Sequence, residues 1–303
     1  MKTLLTGATG FIGRELIVQG KLDYRCVVRS SSEDFSDAVV LNIESNTGWS
    51  KALDGCNTII HLAGLAHNKA VNNEELRNVN LDGTIKLARD AAAVGIKRFV
   101  FVSSIGVNGA STRGGATFKI DSEVSPDNEY TNSKYEAELA LQQIANETGM
   151  EVVIVRPTLV YGPNAPGNFG LLSRLVAKSP LLPFRCANNR RDFISVHNLA
   201  DLLVCCATHE KAANKVFLAS EGETVSIRQF TDSIAQGLGK RVLQMPIPVF
   251  AFRLLGKLTG KSMMIEQLFG DLEVDASTLD TALGWHPPWT MAQSMAKLDK
   301  SKF

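Results

Sequence analysis

The sequence predicts an α/β fold, a doubly wound parallel sheet followed by a smaller C-terminal α/β part, on three observations. A short apolar stretch, Lys2-Thr3-Leu4-Leu5-Thr6, runs into Gly7-Ala8-Thr9-Gly10-Phe11-Ile12-Gly13 and then an amphipathic helix to Gln19. A second strand, Tyr24-Arg25-Cys26-Val27-Val28, follows at the distance a βαβ unit requires. Further on, Phe99-Val100-Phe101-Val102 is an unbroken apolar run, as expected of a parallel strand covered on both faces.

The glycine turn has the chemistry of a dinucleotide cradle. Gly7 permits a tight turn, Gly10 lets backbone N–H groups approach a pyrophosphate, and Gly13 lets the helix pack close to the sheet. The helix then offers its positive dipole end to the phosphates, with Thr9, Phe11 and Ile12 beside them. After the second strand come Arg29 and Ser30-Ser31-Ser32, with no acid before Glu33. An NAD ribose calls for a carboxylate at that place, whereas a guanidinium among hydroxyls suits a 2′-phosphate. The expected cofactor is therefore NAD or NADP, with NADP favoured by Arg29.

The next strands are 39–41 and 58–64, the latter ending in small residues that would let a cofactor lie over the strand end, so Leu62, Ala63 and Gly64 are candidate contacts. His61 and His67 read as structural. A helix over 73–94 carries Asn80, and the strand 99–102 ends in Ser103-Ser104, where doubly wound sheets bind ligands. A polar loop, 108–129, leads into a helix opened by Tyr130-Thr131-Asn132-Ser133-Lys134. Tyr130 and Lys134, four apart, share a helical face. A cation beside a phenol favours the phenolate and makes Tyr130 a usable acid or base.

Beyond the strand 151–156 prolines crowd the chain, which places a boundary near 165: residues 1–165 for the dinucleotide, 166–303 mainly for substrate, and a strand at 216–219 rejoining the first sheet. Helices are expected at 169–177, 226–238, 249–258 and 275–283. A net charge of +1 across 32 basic and 31 acidic residues offers no field for nucleic acid or an anionic membrane, and no apolar run is long enough for membrane insertion. Five cysteines without C-x-x-C spacing predict reduced thiols, no metal site and a cytoplasmic protein.

In this order the motifs resemble the extended short-chain dehydrogenase/reductases, and within them the NAD-dependent epimerase/dehydratase group, over nearly the whole chain. The resemblance rests on Gly7 to Gly13, Asn78-Val79-Asn80-Leu81-Asp82-Gly83-Thr84, Val102-Ser103-Ser104 with Val107-Asn108-Gly109, and Tyr130 with Lys134. It rests further on Arg156-Pro157, Val160-Tyr161-Gly162-Pro163 and Arg191-Asp192-Phe193-Ile194-Ser195-Val196. It implies a Rossmann-type sheet, a nucleotide-sugar substrate and paired protomers in a homodimer. It makes Tyr130 the acid/base, sets Lys134 on the nicotinamide ribose and lets Ser104 orient the reacting oxygen. Asn80, Ser103 and Pro157 join the cofactor contacts. Arg191 and Asn168 fall on the substrate diphosphate, Asp271 on the nucleotide ribose, and Arg190 faces solvent. The arginine the group usually carries shortly before Asp271 is missing.

Five readings compete, four reactions and one non-catalytic role. A UDP- or dTDP-sugar 4-epimerase uses Tyr130 to move the C4 hydroxyl proton, and a 4-keto-sugar reductase uses it to donate one. A 4,6-dehydratase needs an acid pair where Ile105 and Gly106 follow Ser104. A reductase of a small ketone, or a non-catalytic NADP-binding regulator, completes the set, and the regulator has no use for Ser104, Tyr130 and Lys134 together.

Overall fold

The computed structural model describes residues 2–31, 35, 37–65, 72–112 and 114–298. In chain order the first half comprises β1 (Lys2–Thr6), α1 (Phe11–Gln19), β2 (Asp23–Val28), β3 (Ala38–Val40), α2 (Ser50–Leu53) and β4 (Cys56–His61). Then come α3 (Asn73–Arg77), a π-turn (Asn78–Asp82), α4 (Gly83–Ala93), β5 (Arg98–Val102), α5 (Glu129–Thr148) and β6 (Glu151–Pro157). The second half adds β7 (Leu159–Tyr161), α6 (Gly167–Lys178), β8 (Leu181–Leu182), β9 (Phe193–Ser195), α7 (Val196–Thr208) and β10 (Val216–Ala219). It ends with α8 (Ile227–Gly237), β11 (Leu243–Gln244), α9 (Val249–Thr259), α10 (Ser262–Phe269), α11 (Ser277–Leu283) and α12 (Met291–Met295).

Seven strands form one sheet in the order β10-β6-β5-β4-β1-β2-β3, every pairing parallel. The order reverses between β1 and β4, so the loops leaving these two strands diverge and open a crevice at their C-terminal ends. Leu16 of α1 and Leu199, Leu202 and Leu203 of α7 bury one face of the sheet, and Leu87 of α4 with Leu141 and Ile144 of α5 bury the other. Both faces are covered, which is why the central strands are apolar at consecutive positions.

The strand expected at 216–219 does return, pairing with β6. More of the chain returns with it: α7 and, from α11, Leu279 and Leu283 pack into the same core as α1. A separate cluster built on Phe169, Phe184, Phe193 and Phe230 holds α6, β9 and α8 together, with the Phe193 and Phe230 rings stacked 3.9 Å apart. Phe11, at the start of α1, packs against this cluster and so joins it to the glycine turn. The single helix expected over 73–94 is three segments, because the π-turn adds a residue to one coil and redirects Asn80 inward.

Candidate active site

The glycine turn is built as its residues require. Gly7 takes φ +73°, and a Cβ at Gly13 would lie 2.3 Å from the Gly7 carbonyl oxygen, so no side chain fits between helix and turn. Across the crevice, the Thr6 hydroxyl accepts a hydrogen bond from the Ala63 amide and meets His61 Nδ1 at 2.7 Å. His61 Nε2 reaches the Thr84 hydroxyl at 3.0 Å, and that hydroxyl donates to the Asn80 carbonyl. Burial, with the Lys134 charge adding to it, pushes His61 down to about 3. It is a neutral strut, as the sequence implied; His67, Ser32 and Glu33 lie outside the described residues.

Asn80 is fully buried, and its amide is committed: Oδ1 accepts from the Leu65 amide at 2.7 Å, while Nδ2 donates to the Leu65 carbonyl and the Ser133 hydroxyl. It therefore clamps the loop carrying Leu62, Ala63 and Gly64, and stands behind the expected cofactor contacts. A Cβ on Gly64 would sit 3.2 Å from Lys134 Nζ, so this loop and Lys134 line one space.

Helix α5 starts with an Asn128–Thr131 capping box, which fixes the first turn and with it Tyr130. Lys134 lies one turn on, buried, with Nζ donating to the Val102 carbonyl at 3.1 Å and 4.6 Å from the Phe101 ring centre. Burial pushes Lys134 down to about 8, with Glu138 opposing. The Tyr130 hydroxyl has no hydrogen-bond partner among the described residues, and burial raises its pKa. The Ser104 hydroxyl accepts from the Gly106 amide at 3.1 Å, which aims it out of the strand end. The Ser103 hydroxyl is buried without a partner among the described residues, and Pro157 closes the neighbouring strand. A glycine cradle that admits no Cβ, an orphaned buried hydroxyl and a buried ammonium around one crevice fit a dinucleotide. Arg29 is exposed at the end of β2, the edge of that crevice.

One network holding this arrangement was not singled out from the sequence. Arg156 of β6 binds both carboxylate oxygens of Glu138 on α5 and the Asn108 side chain in the loop after Ser104, all buried. It fixes α5 against the serine loop. Its signal was the Arg156-Pro157 pair, taken as a motif without a partner.

In the second half, Arg191 is held by its backbone between Val225 and Leu272. Its side chain is buried, and Nη1 donates to the Gly270 carbonyl at 2.8 Å. Burial pushes it down to about 10 against the pull of Asp271 and Asp192. Neither acid pairs with it: Asp192 binds Thr224 and the Val274 amide, and Asp271 accepts from the Arg190 amide. Arg191 lines a cavity of about 320 Å³, with Asn168 and the uncapped N-terminus of α6 at the same cavity. Asn168 is exposed, 3.4 Å from Gln267 Oε1. Asp271 does not line this cavity, so the ribose contact implied for it has no support from the geometry. Arg190 is exposed and paired with Glu273, as expected of a solvent-facing residue.

Residues 3–219 match the NAD dependent epimerase/dehydratase family. This chain belongs to that family. A UDP-glucose 4-epimerase of Vibrio cholerae is 40% identical over 303 aligned residues, covering 96% of this chain and 92% of that protein. An Escherichia coli O157:H7 relative, N-acetyl-alpha-D-glucosaminyl-diphospho-ditrans,octacis-undecaprenol 4-epimerase, is 22% identical over 99% of this chain and 95% of its own length. The structure of UDP-glucuronic acid 4-epimerase from Bacillus cereus in complex with NAD superimposes with a TM-score of 0.77 at 20% identity, covering 100% of this chain and 99% of that one. The epimerase/dehydratase fold is thus common to all of them.

Proposed function

We propose that this chain is an NAD(P)-dependent 4-epimerase of a sugar diphosphate, in the first place a UDP- or dTDP-sugar, working in the cytoplasm. The observation that carries the substrate class is Arg191, a buried guanidinium with no carboxylate partner among the described residues, facing a cavity together with a helix N-terminus. A buried cation left unpaired is costly, and a diphosphate supplies the missing charge in bidentate form. The 40% identical Vibrio cholerae protein acts, by its name, on such a substrate.

When bound, the cofactor takes up hydride from sugar C4 and gives it back. The chain's own groups handle the proton and the geometry. Tyr130 accepts the 4-hydroxyl proton and later returns it, so nothing is consumed. Lys134, one turn along α5, supplies the positive charge that favours the phenolate and a donor for the nicotinamide ribose. Ser104, pinned by Gly106, donates to the sugar oxygen. The crevice loops, clamped by Asn80 and His61, would hold the dinucleotide.

Arg191→Ala is expected to raise KM for UDP-glucose at least tenfold, about 1.4 kcal/mol, with NAD(P) affinity nearly unchanged and Arg190→Ala near wild type. Steady-state assays of C4 inversion check this, and equal KM values for both variants and wild type would move the diphosphate elsewhere.

Arg29 favours a second reading, net reduction of a 4-keto sugar with NADPH. Arg29→Asp is expected to shift the NADP(H)-to-NAD(H) affinity ratio at least tenfold toward NAD(H), since a carboxylate repels a 2′-phosphate and accepts ribose hydroxyls. Titration of both cofactors measures it, and a ratio unchanged within about threefold removes Arg29 from the cofactor site.

A further inference from the structure

Large apolar side chains on a surface are normally scattered, but here they gather on one face. On α9, Phe250, Leu254 and Leu258 are 71%, 56% and 77% accessible. Their i, i+4, i+8 spacing makes a full helical stripe that points outward. The opposite side of α9, Val249 and Phe252, packs on the aromatic cluster, so the helix is well seated and its exposed stripe is not a frayed end. Leu171 and Leu175 of α6 and Met264 of α10 are exposed as well, and all three line the cavity of Arg191. The rim of the cavity is thus itself apolar, and α10, which supplies Met264 and Ile265 to it, packs against α9 at Gly256.

Basic residues outnumber acidic ones in the segments that build this side, although Glu266 of α10 lies among them. Residues 165–191 hold Arg174, Lys178, Arg185, Arg190 and Arg191 and no acid; residues 233–265 hold Lys240, Arg241, Arg253, Lys257 and Lys261 and no acid. Arg253 is paired with Glu266, but Arg174, Lys178, Lys257 and Lys261 are exposed and make no ion pair among the described residues. A chain whose overall charge is +1 thus concentrates its excess of positive charge beside its exposed apolar face. That is the composition of a helix that lies in a lipid–water interface, apolar side down and basic residues at the headgroups. No helix among the described residues is long and apolar enough to cross a membrane, so such contact is at the surface.

The lining of the cavity is mostly apolar. Its only polar lining residues are Asn168, Gln267 and Arg191, and the first two are turned toward each other. Asp271, the acid expected on a nucleotide ribose, lies outside it.

We propose that this face docks on an anionic lipid bilayer and that the cavity admits the first apolar units of a lipid-linked sugar diphosphate, with Arg191 on the diphosphate. The inference rests on the sugar-diphosphate epimerase reading and names a further substrate class for the same centre. The chemistry is unchanged: the hydrogen and the proton that leave C4 and its oxygen both return, and the diphosphate bonds stay intact.

The test uses the full chain with vesicles of phosphatidylcholine, with and without phosphatidylglycerol. Wild type is expected to co-sediment with the anionic vesicles, less so as salt rises, and Leu254→Ser/Leu258→Ser and Lys257→Glu/Lys261→Glu to bind them at least about tenfold more weakly. With polyprenyl-diphospho-N-acetylglucosamine in those vesicles, wild type inverts C4. The Leu254→Ser/Leu258→Ser protein loses that conversion while keeping its rate on soluble UDP-N-acetylglucosamine within about twofold, because those side chains lie outside the catalytic crevice. Turnover of the UDP-sugar without vesicle binding or lipid-linked turnover overturns this inference and leaves the epimerase reading intact. Failure to turn over either sugar overturns the epimerase reading and, with it, this one. A dimer that dissociates in Leu254→Ser/Leu258→Ser, with no vesicle binding, assigns the face to a second copy and overturns the proposal.

Discussion

Tyr130→Phe is expected to lower kcat by about 10²- to 10⁴-fold while NAD(P) affinity stays within about threefold of wild type. The hydroxyl is the only part of the residue removed, and it has no hydrogen-bond partner among the described residues, so no internal bond is lost with it. The ring remains and the Asn128–Thr131 capping box still fixes the first turn of α5. What disappears is the group that takes and returns the 4-hydroxyl proton. Burial raises the Tyr130 pKa, so the free phenol is a poor base near neutrality. Only positive charge arriving beside it, from Lys134 and from an oxidised nicotinamide ring, can bring it into range. A variant keeping more than about a tenth of wild-type kcat would show that the proton travels by another route.

Much of this centre was legible in the sequence because its parts are local. The turn from Gly7 to Gly13 and the four-residue spacing of Tyr130 and Lys134 are short-range patterns, and their geometry follows from strand–turn–helix rules alone. Asn80 was harder. Helical periodicity has no way to register the extra residue that the Asn78–Asp82 π-turn inserts, and it is this turn that swings Asn80 onto the Leu65 loop. The α10 helix was missed for a related reason: Lys261 stands at its N-cap without a side-chain cap, so no start signal precedes it. The state of Arg191 was the least legible. In sequence Arg191-Asp192 reads as a neighbouring charge pair, but in extended backbone successive side chains point to opposite sides. Asp192 therefore turns to Thr224 and the Val274 amide, and the guanidinium keeps the Gly270 carbonyl but no carboxylate among the described residues.

Lys134→Met is expected to abolish turnover and at the same time make the free protein more stable at pH 7. Burial holds the ammonium down from 10.5 to about 8. In the folded state its charge is therefore paid for in stability at every pH below the folded value, and the cost disappears as pH climbs toward the unfolded one. Between about 8 and 10.5 the unfolded chain binds the proton and the folded chain has released it, so wild-type stability rises with pH across that window. At about 1.4 kcal/mol per pH unit the full cost at pH 7 is about 3 kcal/mol. Methionine removes it but forfeits the bond to the Val102 carbonyl, worth about 1 kcal/mol, and the contact with the Phe101 ring, worth another 0.5–1 kcal/mol by order of magnitude. A net gain in stability at pH 7 is expected, shrinking to nothing or reversing near pH 10. Urea unfolding of wild type and Lys134→Met at pH 7 and pH 10 measures both values. A variant less stable than wild type at pH 7, or a difference that does not change with pH, would mean that the ammonium is not held at a cost. In that event the ammonium is stabilised where it sits, its pKa lies nearer the ordinary lysine value, and burial is not what sets its charge.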